Sequence, residues 1–218
     1  MNGKFHEIVQ MLREKLAAYS PQRLQKEDAI PAAVMILLTE VEDEPHILLT
    51  RRTDMVEHHK GQISFPGGVR DREDRDLLHT ALRETYEEIG VPPEKIEVLG
   101  QIDDFYTVTN FMITPFVGII REPVHFRLSR NEVAEVLKVP LSLFLTDRHF
   151  EMKQWEHEGH LYNVYFYYFK GHAIWGATAF ILNRFIELMF HYNPAPYSVS
   201  EDPRNAQYLE ENRVRKSR

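Results

Sequence analysis

Residues 65–90 read FPGGVRDREDRDLLHTALRETYEEIG, a turn followed by a helix with an unusual concentration of charge. Pro66 presets a bend, and Gly67 and Gly68 free the backbone to approach its neighbours closely. The pattern then predicts a helix over 74–89, with Gly90 as a left-handed C-cap and Pro92 and Pro93 barring continuation. At ~100° per residue, Glu84, Glu87 and Glu88 fall within an arc of about 100° on one face. Leu78, Ala81, Leu82 and Ile89 cluster on the adjoining face, with Thr85 among them. One face suits a core, and the other projects three carboxylates over its edge.

Two carboxylates ~5 Å apart repel by roughly 3 kcal/mol at an effective dielectric of ~20. Three in one patch oppose folding by an amount comparable to the whole net stability of a domain. Arg83 relieves part of this through an i,i+4 pair with Glu87, one positive charge against three negative. A divalent cation offsets the rest, and hard oxygen ligands suit Mg²⁺ or Mn²⁺. Glu84, Glu87 and Glu88 are therefore the candidate metal ligands, and Gly68 offers a backbone carbonyl where a side chain would obstruct the approach.

Outward from this stretch, AAVMILLTEV (32–41) and HILLTRR (46–52) read as two strands of a hairpin joined by the turn EDEP. IEVLGQIDDFYTVTN (96–110), MITPFVGII (112–120) and HLYNVYFYYFKG (160–171) read as further strands. SRNEVAEVLKVPLSLFL (129–145) opens on a Ser129-x-x-Glu132 capping signal and predicts a short helix. WGATAFILNRFIELMFHY (175–192) is an amphipathic closing helix. Strands interleaved with helices give an α/β or α+β sandwich. The expected organisation is an N-terminal amphipathic helix and bridge (1–29), a main globular domain (30–193) and a polar tail (194–218).

The chain has 218 residues, 43% hydrophobic and 27% charged, enough for one well-buried domain with appendages. A formal charge of −7 argues against nucleic acid as the main partner, though not against an anionic small molecule at a local cation or Arg/Lys patch. With no cysteine, there is no disulfide, thiol nucleophile or Cys-ligated zinc. The adjacent His58 and His59 lack an H-x3-H or Cys partner, so zinc is not expected there. No run approaches the roughly 18 apolar residues of a membrane span. The N-terminus lacks the apolar run and cleavage site of a signal peptide. The expectation is a cytoplasmic protein without a membrane or nucleic-acid partner, its N-terminal helix and tail offering surfaces for a homodimer.

The stretch GGVRDREDRDLLHTALRETYEEIGV (67–91) resembles the Nudix box, the signature of hydrolases that cleave a nucleoside diphosphate linked to another moiety. The match is close from Arg83 to Val91, with Thr85 at a usually aliphatic position. It departs upstream: the spacing from Gly68 to Arg83 is one residue longer than the pattern, and the upstream acid, Asp74 or Glu73, is out of register. LLTRRTDMVEHHKGQISFPGG (48–68) is similar to the element that precedes the box in the coenzyme A pyrophosphatases of this family. Thr53 and Glu57 depart from it, Glu57 standing where an arginine is usual.

The resemblance implies a Nudix-type α/β/α sandwich with a mixed sheet. It also implies metal-assisted attack of water on a P–O–P bridge, with Glu84, Glu87 and Glu88 on Mg²⁺ or Mn²⁺ and Arg83 orienting them. Coenzyme A would yield 3′,5′-ADP and 4′-phosphopantetheine. Arg52 is placed by the motif as a phosphate contact, with Lys60 and Gly67 as further candidate substrate-binding residues. Phe65 and Tyr106 are candidate contacts to adenine or the pantetheine arm, against core packing as the alternative. The general base is open between Glu84 and the downstream acids Glu132 and Glu135, helix capping being the structural explanation for Glu132. Two rival functions remain: a pyrophosphatase for ADP-ribose, another ADP-sugar or NADH, and a catalytically idle nucleotide-binding module.

Overall fold

In the computed structural model, which describes residues 3–53, 60–120, 124–157 and 160–195, the apolar run after Asp28 and Ala29 becomes the central strand β1 (Ile30–Val41). The chain divides into two compact units, Met1–Leu143 and Phe144–Arg218.

The first unit is built on a mixed sheet. β1 turns at Glu42 and Asp43, both at positive φ (52° and 63°), and pairs antiparallel with β2 (Glu44–Arg52), as the hairpin pattern predicts. β3 (Ile63–Ser64) adds to β2, and β4 (Gly67–Val69) to the first residues of β1. β5 (Ile96–Gln101) and β6 (Phe105–Tyr106) both pair with β7 (Phe111–Ile120), which runs parallel to β1 from Ile30↔Phe111 to Leu38↔Ile119. β8 (Val133–Pro140) pairs antiparallel with β2.

β8 corrects the helix expected within 129–145. Ser129 O accepts hydrogen bonds from Glu132 N and Val133 N, and this single turn is all that the capping signal produces. From Val133 the chain, with valine at 133, 136 and 139, is captured by β2 and extends. Only Leu141–Leu145 then coils, as a 3-10 turn.

Two helices cover this sheet on opposite faces. α2 (Leu77–Ile89) packs Ala81 and Ile89 on Ala33, Met35, Leu37 and Leu48, with Leu77, Leu78 and Leu82 at the margin. Ile96 and Val98 of β5 face the same way, whereas Glu97 between them pairs with Arg13 of α1 (Lys4–Ala18) at 2.7 Å. Strand alternation thus sets α1 on the other face, burying Phe5, Val9, Leu12 and Leu16. Each fully buried aliphatic side chain contributes about 1.5–3 kcal/mol. The bridge after α1 is stitched to the β5–β7 connection. Asp103 accepts from the Tyr19 hydroxyl (2.6 Å) and Gln22 N (2.7 Å), and Asp104 from Leu24 N (3.0 Å) and Thr114 Oγ1 (2.7 Å).

The second unit is an antiparallel sheet, β9 (Phe150–His157), β10 (His160–Phe169) and β11 (His172–Trp175), with helix α3 (Ala177–Phe190). Tyr165 stacks on Phe180, and the Tyr167 hydroxyl donates to Asn183 Oδ1 at 3.0 Å. Among the described residues no helix is long and apolar enough to cross a membrane.

Candidate active site

The turn before α2 is clamped to β1. Pro66 O accepts from Met35 N (2.8 Å), and Gly67, at φ 151°, lies so close that a Cβ there would stand 2.3 Å from Ala33 O and 2.6 Å from Val34 Cα. A Cβ at Gly68 would meet not backbone but the carboxylate of Glu84, at 2.5 Å. The two glycines have separate jobs: Gly67 seats the turn, and Gly68 admits an acid.

α2 begins later than residue 74. Asp76 is its N-cap, its side chain accepting from His79 N at 2.7 Å, and Gly90 caps the far end at φ 72°. Asp74, freed from the helix, points inward with its side chain wholly buried. It accepts from Arg83 Nε (3.0 Å) and Nη2 (2.9 Å), Thr80 Oγ1 (2.9 Å) and Asp71 N (2.9 Å), and His79 Nδ1 lies 2.9 Å away. Hydrogen bonding from Arg83 holds its carboxyl well below the usual range, against the opposing effect of burial. The out-of-register acid is thus the anchor of Arg83.

Arg83, so fixed, spreads its remaining donors. Nη1 donates to Glu84 Oε1 (2.9 Å) and Glu87 Oε2 (3.0 Å), and Nη2 to Val69 O (3.2 Å). The expected i,i+4 pair with Glu87 is present. Glu87 is 55% exposed, Glu84 18%, and Glu88 only 3%. Burial raises the Glu84 pKa, with Arg83 opposing. Burial, then the charge of Glu84, pushes Glu88 up to about 8; the charge of Arg52 and the Gly67 N–H pull the other way. Glu88 Oε2 is shielded from solvent and has no hydrogen-bond partner.

The three carboxylates therefore share a helix face without forming a ready cage. Glu84 and Glu87 are drawn to one guanidinium nitrogen, and among the described residues no three acid or imidazole groups converge on a metal-sized space. The donor set nevertheless fits a hard divalent cation. Glu88 offers a buried oxygen with an unused lone pair, Glu84 lies within its electrostatic reach, and the missing side chain at Gly68 keeps the approach to Glu84 open.

A fourth acid stands near them. The segment 124–132 docks on the C-terminus of α2 through Arg127 N to Ile89 O (2.9 Å) and Ser129 N to Glu88 O (2.9 Å). Thr53 N donates to Glu132 O (2.8 Å), and Thr53 Oγ1 to Asn131 O (2.8 Å). The charge of Glu132 acts on both Glu84 and Glu88. Glu135 goes elsewhere: it pairs in register with Arg51, 3.5 Å away, on the sheet face opposite α2. Arg52, following Leu48 and Thr50 in alternation, lies on the α2 side.

Of the other expected site residues, Phe65 is buried and Lys60 exposed. Tyr106 is engaged by the N-terminal bridge: Lys26 Nζ lies 4.0 Å from its ring centroid, and its hydroxyl donates to Asn110 Oδ1 at 2.7 Å. Glu57, His58 and His59 lie outside the described residues. Two residues were undervalued in the sequence, Asp74 and Glu132. The first sits just before a better N-cap, Asp76, and the second opens a valine-rich run that favours a strand.

The NUDIX domain family matches residues 29–156, more than half of the chain. The protein belongs to this family and is a hydrolase acting on nucleoside diphosphate derivatives. It is 38% identical over 173 residues to the Nudix hydrolase NudL of Enterobacter sp. (strain 638), covering 79% of this chain and 86% of the relative. NudL of Photorhabdus laumondii subsp. laumondii is 35% identical over 164 residues, covering 75% and 87%. Among solved structures, the NUDIX domain of Shewanella oneidensis NrtR, complexed with ADP ribose, matches at 22% identity. Its TM-score is 0.43, and it covers 59% of this chain and 82% of that one. Hydrolases of this family generally need divalent metal ions.

Proposed function

We propose that the chain hydrolyses the pyrophosphate bond of coenzyme A or a derivative, releasing 3′,5′-ADP and 4′-phosphopantetheine or its acyl form. The observation that carries metal-dependent pyrophosphatase chemistry is the buried carboxylate of Glu88, with one oxygen unsatisfied, beside that of Glu84. The choice of coenzyme A is supported by the likeness of residues 48–68 to the element that precedes the Nudix box in coenzyme A pyrophosphatases.

In this reading Glu84 and Glu88 hold Mg²⁺ or Mn²⁺, with Glu87 as the outer ligand and the Gly68 backbone beside Glu84. The bound ion supplies charge neutralisation at the phosphoryl oxygens and acidifies water. Arg83, braced by Asp74, keeps Glu84 and Glu87 aimed. Glu132, its backbone tied to Thr53 and its charge acting on Glu84 and Glu88, is the candidate acceptor for the proton of the attacking water. The attack breaks one P–O bond of the bridge and leaves a phosphate on each product. Arg52 and Lys60 meet substrate phosphates, and the reaction takes place in the cytoplasm.

A panel of coenzyme A, acetyl-coenzyme A, ADP-ribose and NADH, with Mg²⁺ or Mn²⁺ and products resolved by chromatography, tests this. Coenzyme A as the best substrate supports it. Faster turnover of ADP-ribose or NADH assigns the chain to the rival pyrophosphatases, and nucleotide binding without turnover makes it a binding module.

A further inference from the structure

The three-stranded sheet of the second unit uses its two faces differently. One face packs on α3 through Tyr165 and Tyr167. On the other, strand alternation gathers Glu151, Lys153 and Trp155 of β9, Phe166 and Tyr168 of β10 and Trp175 of β11. Four of these side chains are aromatic and form an unbroken row. Phe166 lies 6.4 Å from Tyr168 and 6.1 Å from Trp175, nearly parallel to both, and Trp175 lies 6.2 Å from Trp155. The row opens to solvent at both ends, where Trp155 is 58% exposed and Tyr168 38%. Large rings in one contiguous exposed patch are the composition of a protein interface rather than of ordinary surface.

Beside the rings stand one acid and one base. Lys153 Nζ is 3.0 Å from Glu151 Oε2 and 4.9 Å from the Phe166 ring centroid, and the Tyr168 hydroxyl donates to Glu151 Oε2 at 2.6 Å. The six residues carry no net charge, which gives nucleic acid or an anionic membrane no electrostatic hold on them. The two charges are two positions apart on one strand. A two-fold axis crossing β9 between them therefore sets Glu151 of one copy opposite Lys153 of the other, twice over.

We infer that this face docks a second copy of the chain, sheet on sheet, with the four rings as its core and reciprocal Glu151–Lys153 pairs beside them. The inference is independent of the hydrolysis proposed above. Sheets stack about 10 Å apart, close enough for the rings of two copies to interdigitate. Three strands of this length present a face about 14 Å by 25 Å. Two copies would bury about 1,000 Å² in total, the low end of specific interfaces, which makes the dimer weak and reversible, with a Kd on the order of 10 µM.

The test follows the full chain by sedimentation equilibrium and by tryptophan emission. Trp155 and Trp175 are the only tryptophans in the chain, so the emission reports this face alone. Wild type should pass from 25.7 kDa toward twice that mass, half-way at about 10 µM, with emission moving to the blue over the same range. Trp155→Glu, Glu151→Lys and Lys153→Glu, all at exposed positions, should each weaken association at least about tenfold. Circular dichroism and thermal melts establish that the variants are folded. The decisive arm mixes Glu151→Lys with Lys153→Glu. Each alone sets like charges opposite one another, whereas the mixture restores both pairs and should associate within about threefold of wild type. A wild type that stays monomeric, a dimer that Trp155→Glu leaves intact, or a mixture without rescue overturns the inference. So does a monomer whose emission is already blue at every concentration, which places a segment of the same chain on the face. A blue shift that appears only with anionic lipid vesicles or an oligonucleotide overturns it equally.

Discussion

Replacing Gly68 by alanine adds one methyl group to the site and is expected to abolish most of its activity without unfolding it. Gly68 has no positive φ, so its backbone accepts alanine. The new Cβ would stand 2.5 Å from the Glu84 carboxylate, about 1 Å inside ordinary van der Waals contact. What must give is the end of a side chain with rotatable bonds, so Glu84 swings away by about 1 Å and takes its bond with Arg83 along. Displacement of a reacting group by that much costs on the order of 10²-fold in rate. Gly68→Ala should therefore lower kcat about 100-fold and weaken Mn²⁺ binding, while Tm moves by less than about 3 °C. Gly67→Ala is the control, since its Cβ meets the Ala33 carbonyl and Val34 Cα, which cannot swing aside, at φ 151°. It should cost about 3 kcal/mol or more, read by urea denaturation. The reasoning is refuted if Gly68→Ala keeps more than half of wild-type kcat, or loses as much stability as Gly67→Ala.

Asp74→Asn removes the buried charge that braces Arg83. Breaking such a pair costs about 3–5 kcal/mol, so Tm should fall by roughly 10 °C, and a double-mutant cycle with Arg83→Gln should return a coupling above about 1.5 kcal/mol. Glu88 titrates at about 8 when folded, against 4.5 for a free glutamate, so between these values the folded state holds a proton that the unfolded state has released. Metal-free stability should consequently fall as pH rises from 5.5 to 8, by up to about 1.4 kcal/mol per unit from this group, and level off above. Glu88→Gln should flatten that slope in urea melts across pH, and an unchanged slope would rule this origin out. For the downstream acids, Glu132→Gln should lower kcat about 10²–10³-fold, read by steady-state product formation with saturating Mn²⁺. Glu135→Gln, on the far face of the sheet, should leave kcat within about twofold.

Side-chain periodicity alone made the central hairpin and the carboxylate helix legible. Leu37 and Leu48 fall in register, and Ala81 and Ile89 face the core beneath the acids, because one-sided burial writes itself into spacing. β9 left no such trace: Glu151, Lys153, Gln154, Trp155 and Glu156 are all exposed, so the strand has no apolar alternation to read. β8 was misread because a local capping pair, Ser129 and Glu132, favours a turn that long-range pairing with β2 overrides after four residues. Asp74 was legible as a charge but not as a brace, since its partner Arg83 lies nine positions on, past the start of a helix whose cap is Asp76. Tyr106 had the chemistry of a ring-stacking residue, and only the folded chain brings Lys26 onto it.

The parallel pairing of β1 with β7 also governs the order in which this protein comes into being. Ile30 and Phe111 meet from positions about 80 residues apart, and the glycine turn, α2 and all three of its glutamates lie on the span between them. Closing so long a loop costs entropy before any strand contact repays it, which makes this the slow event of folding. The three acids, neighbours along α2, meet as soon as that helix coils, whereas the β1 surface that seats it is completed only by this closure.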